Sequence, residues 1–210
     1  MFSTDEQGSA SASQNNFEHV GVLVARLRLH WLLRHFPPRL VWAVYVCVNC
    51  FITIALLALA ALGTGSPFVF PSLGPTAYLF FFSPLAETSS PRNAILGHAI
   101  GLLCGYGAFV LTMASSPPFG AHPGVHGARV LAAALSLSAT GALMVLVRVS
   151  HPPAGATTLI VSLGIISQPK ELVIIEVAVI LLTAQAFAIN RLAGLPYPLW
   201  RGHKQPGIVS

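Results

Sequence analysis

Two hexapeptides hold the residue types best suited to chemistry. Pro71-Ser72-Leu73-Gly74-Pro75-Thr76 and Pro152-Pro153-Ala154-Gly155-Ala156-Thr157 both read P-x-x-G-x-T, 81 positions apart. Proline with Gly74 or Gly155 in a short apolar run leaves backbone amides unpaired, which a membrane tolerates only where the backbone is buried in protein or faces a watery cavity. A half-helix starting at Pro71 or Pro152 would turn its free N–H groups and its positive dipole end toward whatever precedes it. Ser72 and Thr76 in one copy, and Thr157 and Thr158 in the other, add hydroxyl donors. That donor set suits a small anion. The alternative is that the prolines only kink two short helices and the hydroxyls bond back to the backbone.

Three further groups could assist. His151 stands at the mouth of the second hexapeptide, three residues after Arg148, and both can bring positive charge to an anion; an imidazole is also the one motif side chain that ordinarily titrates near neutrality. His151 could equally be a solvated loop residue. His98 falls inside a long apolar segment, where an imidazole needs a partner from the pore side or the packing. Arg92 and Asn93 open that segment after a Ser-, Thr- and Pro-rich stretch, 83–91, and the plain reading of Arg92 is an interfacial anchor.

The rest of the composition removes most other chemistry. Of 210 residues 54% are hydrophobic and 8% charged, against about 25% charged in an ordinary soluble domain. Asp5 is the single aspartate, and after Glu18 come only Glu87, Glu171 and Glu176. No H-E-x-x-H, G-x-S-x-G or P-loop pattern occurs, so an enzyme is not expected. Cys47, Cys50 and Cys104 lie in apolar runs and build neither a disulfide framework nor a zinc knuckle. His122 and His126, in the loop 115–127, are four apart but not on a helix. No metal, no cofactor and no nucleic-acid partner is expected, because the cations that give the net charge of +5 border apolar segments instead of clustering on a polar face.

Positioning falls to long apolar segments. Four of them, 41–62, 94–114, 130–147 and 172–190, are long enough for the ~30 Å hydrocarbon core, which takes about 20 residues. The first three lack Lys, Arg, Asp and Glu; the fourth holds Glu176, placed to snorkel. Two runs of 15 residues, 68–82 and 152–166, lie between them and carry the hexapeptides. The expected fold is an all-α membrane protein of four long transmembrane helices plus two short re-entrant or broken helices. A shift of 81 also superposes the long segments approximately, so the two sets form repeated halves, about 41–114 and 128–190.

Residues 1–38 read as a polar tail followed by a basic interfacial segment (20–36), and 192–210 as a short basic tail. Arg26, Arg28, Arg34 and Arg39 before the first span, and Arg191, Arg201 and Lys204 after the last, make both termini cytoplasmic. With re-entrant short runs there are four crossings and Arg92, Arg148 and Lys170 lie outside. With crossing short runs there are six, only Arg129 and Lys170 lie outside, and the halves are inverted. Gly97, Gly101 and Gly105 form a G-x-x-x-G face that invites another helix, from which a homo-oligomer is expected.

The blocks Pro71-Ser72-Leu73-Gly74, Pro91-Arg92-Asn93-Ala94-Ile95-Leu96-Gly97-His98 and Ser150-His151-Pro152-Pro153-Ala154-Gly155-Ala156-Thr157-Thr158 resemble the HPP family of integral membrane proteins, named for the His-Pro-Pro motif, over about 39–191. The family is described as having four transmembrane helices, and its cyanobacterial and chloroplast members are associated with nitrite transport. The resemblance implies that His151, Pro152 and Pro153 carry the motif, that Pro71, Ser72 and Gly74 are its counterpart, and that Arg92, Asn93 and His98 form a third block. Pro75-Thr76 departs from the small residues typical there. The expected function is a multi-pass transporter or channel in a cell membrane, with the bacterial inner membrane favoured and a small inorganic anion, nitrite first, as substrate. The alternative is a non-transporting scaffold or sensor that packs through the glycine face.

Overall fold

The structure, a computed structural model, describes residues 29–66, 68–113 and 127–202. The polar tail, the first part of the basic segment, His122 and His126 with their loop, and Lys204 lie outside the described residues. Among the described residues every regular element is helical. They are α1 Leu29–His35, α2 Pro38–Thr64, α3 Leu73–Phe82, α4 Pro91–Met113, α5 Gly127–Leu146, α6 Ala154–Ser162 and α7 Pro169–Leu192, with a 3-10 turn Glu87–Ser89 before α4. Helices α2, α4, α5 and α7 are long and apolar enough to cross a membrane.

Prolines account for helix starts that precede the apolar segments. Pro38, Pro91 and Pro169 open α2, α4 and α7; a first-turn proline forfeits only an amide that has no partner there, and its fixed φ already suits a helix. Gly65 then ends α2 at φ 63°, a left-handed cap that costs glycine nothing. The short apolar runs are helical over only part of their length, in α3 and α6, so each is a broken segment.

Hydrogen bonds fix which ends lie together. Leu29 N–H donates to Ala193 O at 3.0 Å and Arg92 N–H to Trp200 O at 3.0 Å, while Tyr45 Oη donates to Asn190 Oδ1 at 2.7 Å. The Arg92 guanidinium reaches the carbonyls of Val147 and Arg148. The starts of α2 and α4 and the ends of α5 and α7 therefore share one end of the bundle. Helix α2, with 27 residues, delivers the chain about 40 Å away at 1.5 Å per residue, and α4 begins back at the first end, so 65–90 recrosses the bundle. Residues 147–168 recross it the other way, because α5 ends at the shared end and α7, which finishes there, starts at the far one. The chain thus runs the length of the bundle six times, four times in long helices and twice in broken segments.

Burial repeats with the 81-residue shift. The fully buried positions of α3, Leu73, Thr76, Ala77, Phe80 and Phe81, map onto Ala154, Thr157, Thr158, Val161 and Ser162, the buried positions of α6. On α4 six of the buried residues, Ala94, Gly97, His98, Gly101, Leu102 and Gly105, map onto the buried Ile175, Ala178, Val179, Leu182, Thr183 and Ala186 of α7, whereas Pro91, Asn93, Ile100 and Ala108 map onto positions that are not buried. Their core gathers Phe80, Phe81, Leu102, Val179 and Leu182, while Leu59, Leu62, Leu103, Leu111 and Val173 stay exposed, the side a bilayer would cover.

The glycine face is not on that side. A Cβ on Gly97 would lie 2.7 Å from His151 Cβ, one on Gly101 2.8 Å from Ala154 O, and one on Gly105 2.8 Å from Thr158 O. Helix α6 and the segment before it fill the stripe, so these glycines serve contacts within the chain, and the reason for expecting self-association through them falls away.

Candidate functional site

At the shared end, α4 and the segment 147–153 are bound edge to edge. Arg92 Nη1 donates to Arg148 O at 2.8 Å and Nη2 to Val147 O at 3.0 Å, so its charge sits on the exposed carbonyls at the C-terminus of α5, where a cation offsets the helix dipole. Arg148 itself turns the chain out of α5 at φ 55°, with Val149 N–H donating back to Met144 O at 2.9 Å. Asn93 Nδ2 donates to Glu87 O at 3.0 Å and Ser150 O at 3.4 Å. Both residues are occupied in holding the His-Pro-Pro segment against the start of α4. The strap 194–202 covers this junction, its buried Tyr197 donating from Oη to Ser89 O.

Inside lies a closed polar cluster. His98, seven residues into α4 and so about 10 Å from its start, has Nε2 2.9 Å from Thr76 Oγ1 and Nδ1 2.7 Å from Thr157 Oγ1. The two threonines are the equivalent final residues of the two hexapeptides. His151 Nε2 is 3.3 Å from the same Thr76 hydroxyl, and His151 Nδ1–H donates to Thr88 O at 2.7 Å. The two imidazole centroids are 5.0 Å apart and that of Phe80 is 6.3 Å from that of His151. Thr158 turns aside, donating to Ala154 O and meeting Thr140 Oγ1 at 3.0 Å. Thr76, His98, His151, Thr157 and Thr158 are all at most 1% exposed.

The remaining candidates divide by burial. Pro152 and Gly74 are exposed, Gly155 is half-buried with Leu137 beside it, and Pro153 is buried as the residue preceding α6. Ser72 is fully buried and its Oγ finds no partner among the described residues. The amides at the start of α6 are not free: Ala154, Gly155 and Ala156 N–H donate to the carbonyls of His151, Pro152 and Pro153 at 3.0–3.1 Å. Side-chain hydroxyls and imidazoles, rather than an open helix end, are what this centre offers.

Two apolar grooves lie on the outside, one between α1, α2 and α7 beside Phe36 and Val44, the other beside Trp42 and Phe82, and neither is lined by a member of the cluster. Sequence reading missed Thr88 and Thr140. Their signals were weak, since Thr88 contributes a backbone carbonyl and Thr140 is one hydroxyl in an apolar helix.

No curated protein and no solved structure gives a significant match to this chain. A family model described as HPP, transmembrane region, matches residues 35–198, which takes in every helix from α2 to α7 and the whole threonine–histidine cluster. The chain belongs to the HPP family of integral membrane proteins.

Proposed function

We propose that this membrane protein moves a small inorganic monoanion, with nitrite the favoured substrate by the family resemblance. The observation that carries the reading is the convergence of Thr76 and Thr157, one from each broken segment, on the two nitrogens of His98 inside a bundle of apolar spans. Ionisable and polar side chains are expensive at such a depth and mark substrate pathways by default. A broken helix from each half meeting near the middle is also the layout by which inverted-repeat transporters build a central site. The matched burial of α3 with α6 and of α4 with α7, together with the opposite directions of α2 and α5, supports reading the halves as inverted repeats. The described cations support cytoplasmic termini: Arg34, Arg39, Arg92, Arg148, Arg191 and Arg201 are at the shared end and Arg129 and Lys170 at the other. Packing through the glycine face, the scaffold alternative, lacks a surface because α6 occupies it.

The test is uptake of nitrite, nitrate, formate and chloride into liposomes holding the purified protein. Thr157→Val keeps the side-chain shape and removes one hydroxyl; a lost hydrogen bond to a charged group is worth about 1.5–3 kcal/mol, so apparent affinity should fall roughly ten- to a hundredfold, with Thr157→Ser restoring it. Wild-type uptake by Thr157→Val, or no uptake of any of the four anions by the native protein, overturns the reading.

A further inference from the structure

We propose that the chain Thr157–His98–Thr76–His151 is a proton relay and that the protein carries one proton with each anion. This rests on the small-anion reading above.

The Thr88 carbonyl can only accept, so His151 keeps a proton on Nδ1, and in the neutral ring Nε2 is an acceptor facing Thr76 Oγ1 at 3.3 Å. Thr76 has one hydroxyl proton and three acceptors in reach: His151 Nε2, His98 Nε2 at 2.9 Å and Ser72 O at 3.0 Å. In the resting arrangement Thr76 donates to His151, His98 Nε2–H donates to Thr76, and Thr157 donates to His98 Nδ1. Every member is satisfied and all donors point the same way. When His151 gains a proton on Nε2 it becomes a donor, and Thr76 answers by turning its O–H to Ser72 O while accepting from both rings. Again nothing is left unpaired, so the two protonation states differ by the rotation of one hydroxyl.

Passage between the rings balances in the same way. With His98 in the tautomer that donates from Nδ1 to Thr157, Thr76 takes the proton of His151 Nε2 as it gives its own to His98 Nε2. One N–H bond and one O–H bond break, one of each forms, and the positive charge moves from one imidazole to the other. The ring centroids are 5.0 Å apart, close enough that two charged rings repel strongly in a dry interior, which limits the pair to one proton.

The surroundings supply no counter-charge. Around the pair, α3 carries Tyr78; α4 carries Arg92, Cys104 and Tyr106; α5 carries Arg129; α6 carries no ionisable side chain; and α7 carries Lys170, Glu171, Glu176 and Arg191. Glu87 lies in the 3-10 turn and Arg148 in the connection, with Arg92 bonded to carbonyls. Among the described residues no carboxylate hydrogen-bonds any member of the relay. His98 and His151 are at most 1% exposed, and a charge placed on a buried ring without a counter-charge is costly. An anion arriving beside the rings offsets that burial cost, so proton and anion bind together and the loaded site is uncharged overall.

The experiment uses the full chain in liposomes containing a pH-reporting dye, with a nitrite gradient imposed at pH 8, the membrane potential set by potassium and valinomycin, and permeation of nitrous acid subtracted with protein-free vesicles. The expected result is one proton entering per nitrite and an uptake rate unchanged by the potential. Thr76→Val, which has no hydroxyl to rotate, should lose at least tenfold in proton-linked uptake, and Thr76→Ser should recover it. Nitrite uptake driven by the potential with no proton movement overturns the relay and leaves anion transport standing; no uptake of any of the four anions removes both. If Thr76→Val proves unfolded by gel filtration, the native stoichiometry and voltage independence decide alone.

Discussion

Gly97→Ala should damage both the fold and the transport site, and Gly107→Ala on the same helix should damage neither. The added Cβ at 97 would meet His151 Cβ at 2.7 Å, whereas carbon pairs rest at about 3.5–4.0 Å, so the His-Pro-Pro segment must back away by roughly 1 Å. Such a shift strains the 2.7 Å bond of His151 to Thr88 O and its 3.3 Å contact with Thr76. Overpacking of this kind costs about 1–3 kcal/mol, and each weakened buried hydrogen bond about 1 kcal/mol more. Alanine returns about 1 kcal/mol of helix propensity. The balance is a net loss of about 2–4 kcal/mol, or roughly 4–16 °C in melting temperature at about 2–4 °C per kcal/mol for a chain of this size. At Gly107 a Cβ meets nothing within 4 Å, so only the propensity gain remains. Melting in detergent and nitrite uptake in liposomes, run on both variants, give the comparison. A Gly97→Ala protein that melts with or above Gly107→Ala and transports normally would refute the close packing of α4 on the His-Pro-Pro segment.

One more outcome follows from the same geometry. Arg92→Gln removes the cation from the C-terminal carbonyls of α5 and should lower melting by the equivalent of about 1–3 kcal/mol, an effect absent from Arg201→Gln, whose side chain is exposed.

The long helices were legible because hydrophobic runs of membrane length admit few other readings, and the shift between the hexapeptides already aligned Leu73 with Ala154, the first residues of α3 and α6. What the sequence could not disclose was facing. In a helix such as α4, apolar on every side, no polar stripe marks the buried face, so Gly97, Gly101 and Gly105 looked equally available to a second chain and to α6. Partners far along the chain were hidden for a related reason. That Thr76 and Thr157 share His98 depends on how three helices pack, and that Arg92 is spent on Val147 and Arg148 depends on α5 ending beside α4. Of the four hydroxyls expected to converge, Thr76 and Thr157 meet on His98, whereas Thr158 turns to Ala154 and Thr140 and Ser72 Oγ finds no partner among the described residues.

The same bonds yield a topology that can be tested without any substrate. Arg92 ties the start of α4 to the end of α5, and Leu29 ties the start of the described chain to the end of α7, so residue 150 belongs to the end where α7 finishes. Gln168 precedes α7, whose 24 residues put it about 36 Å away, more than the ~30 Å thickness of the hydrocarbon core. Ser150 and Gln168 are both exposed. With Cys47, Cys50 and Cys104 replaced by alanine, Ser150→Cys and Gln168→Cys in vesicles of uniform orientation should therefore react with a membrane-impermeant maleimide from opposite sides, and Arg201→Cys from the side of Ser150→Cys. A re-entrant α6 would leave residues 150 and 168 on one face, so labelling of both from the same side would refute the six-pass arrangement and the inverted halves with it.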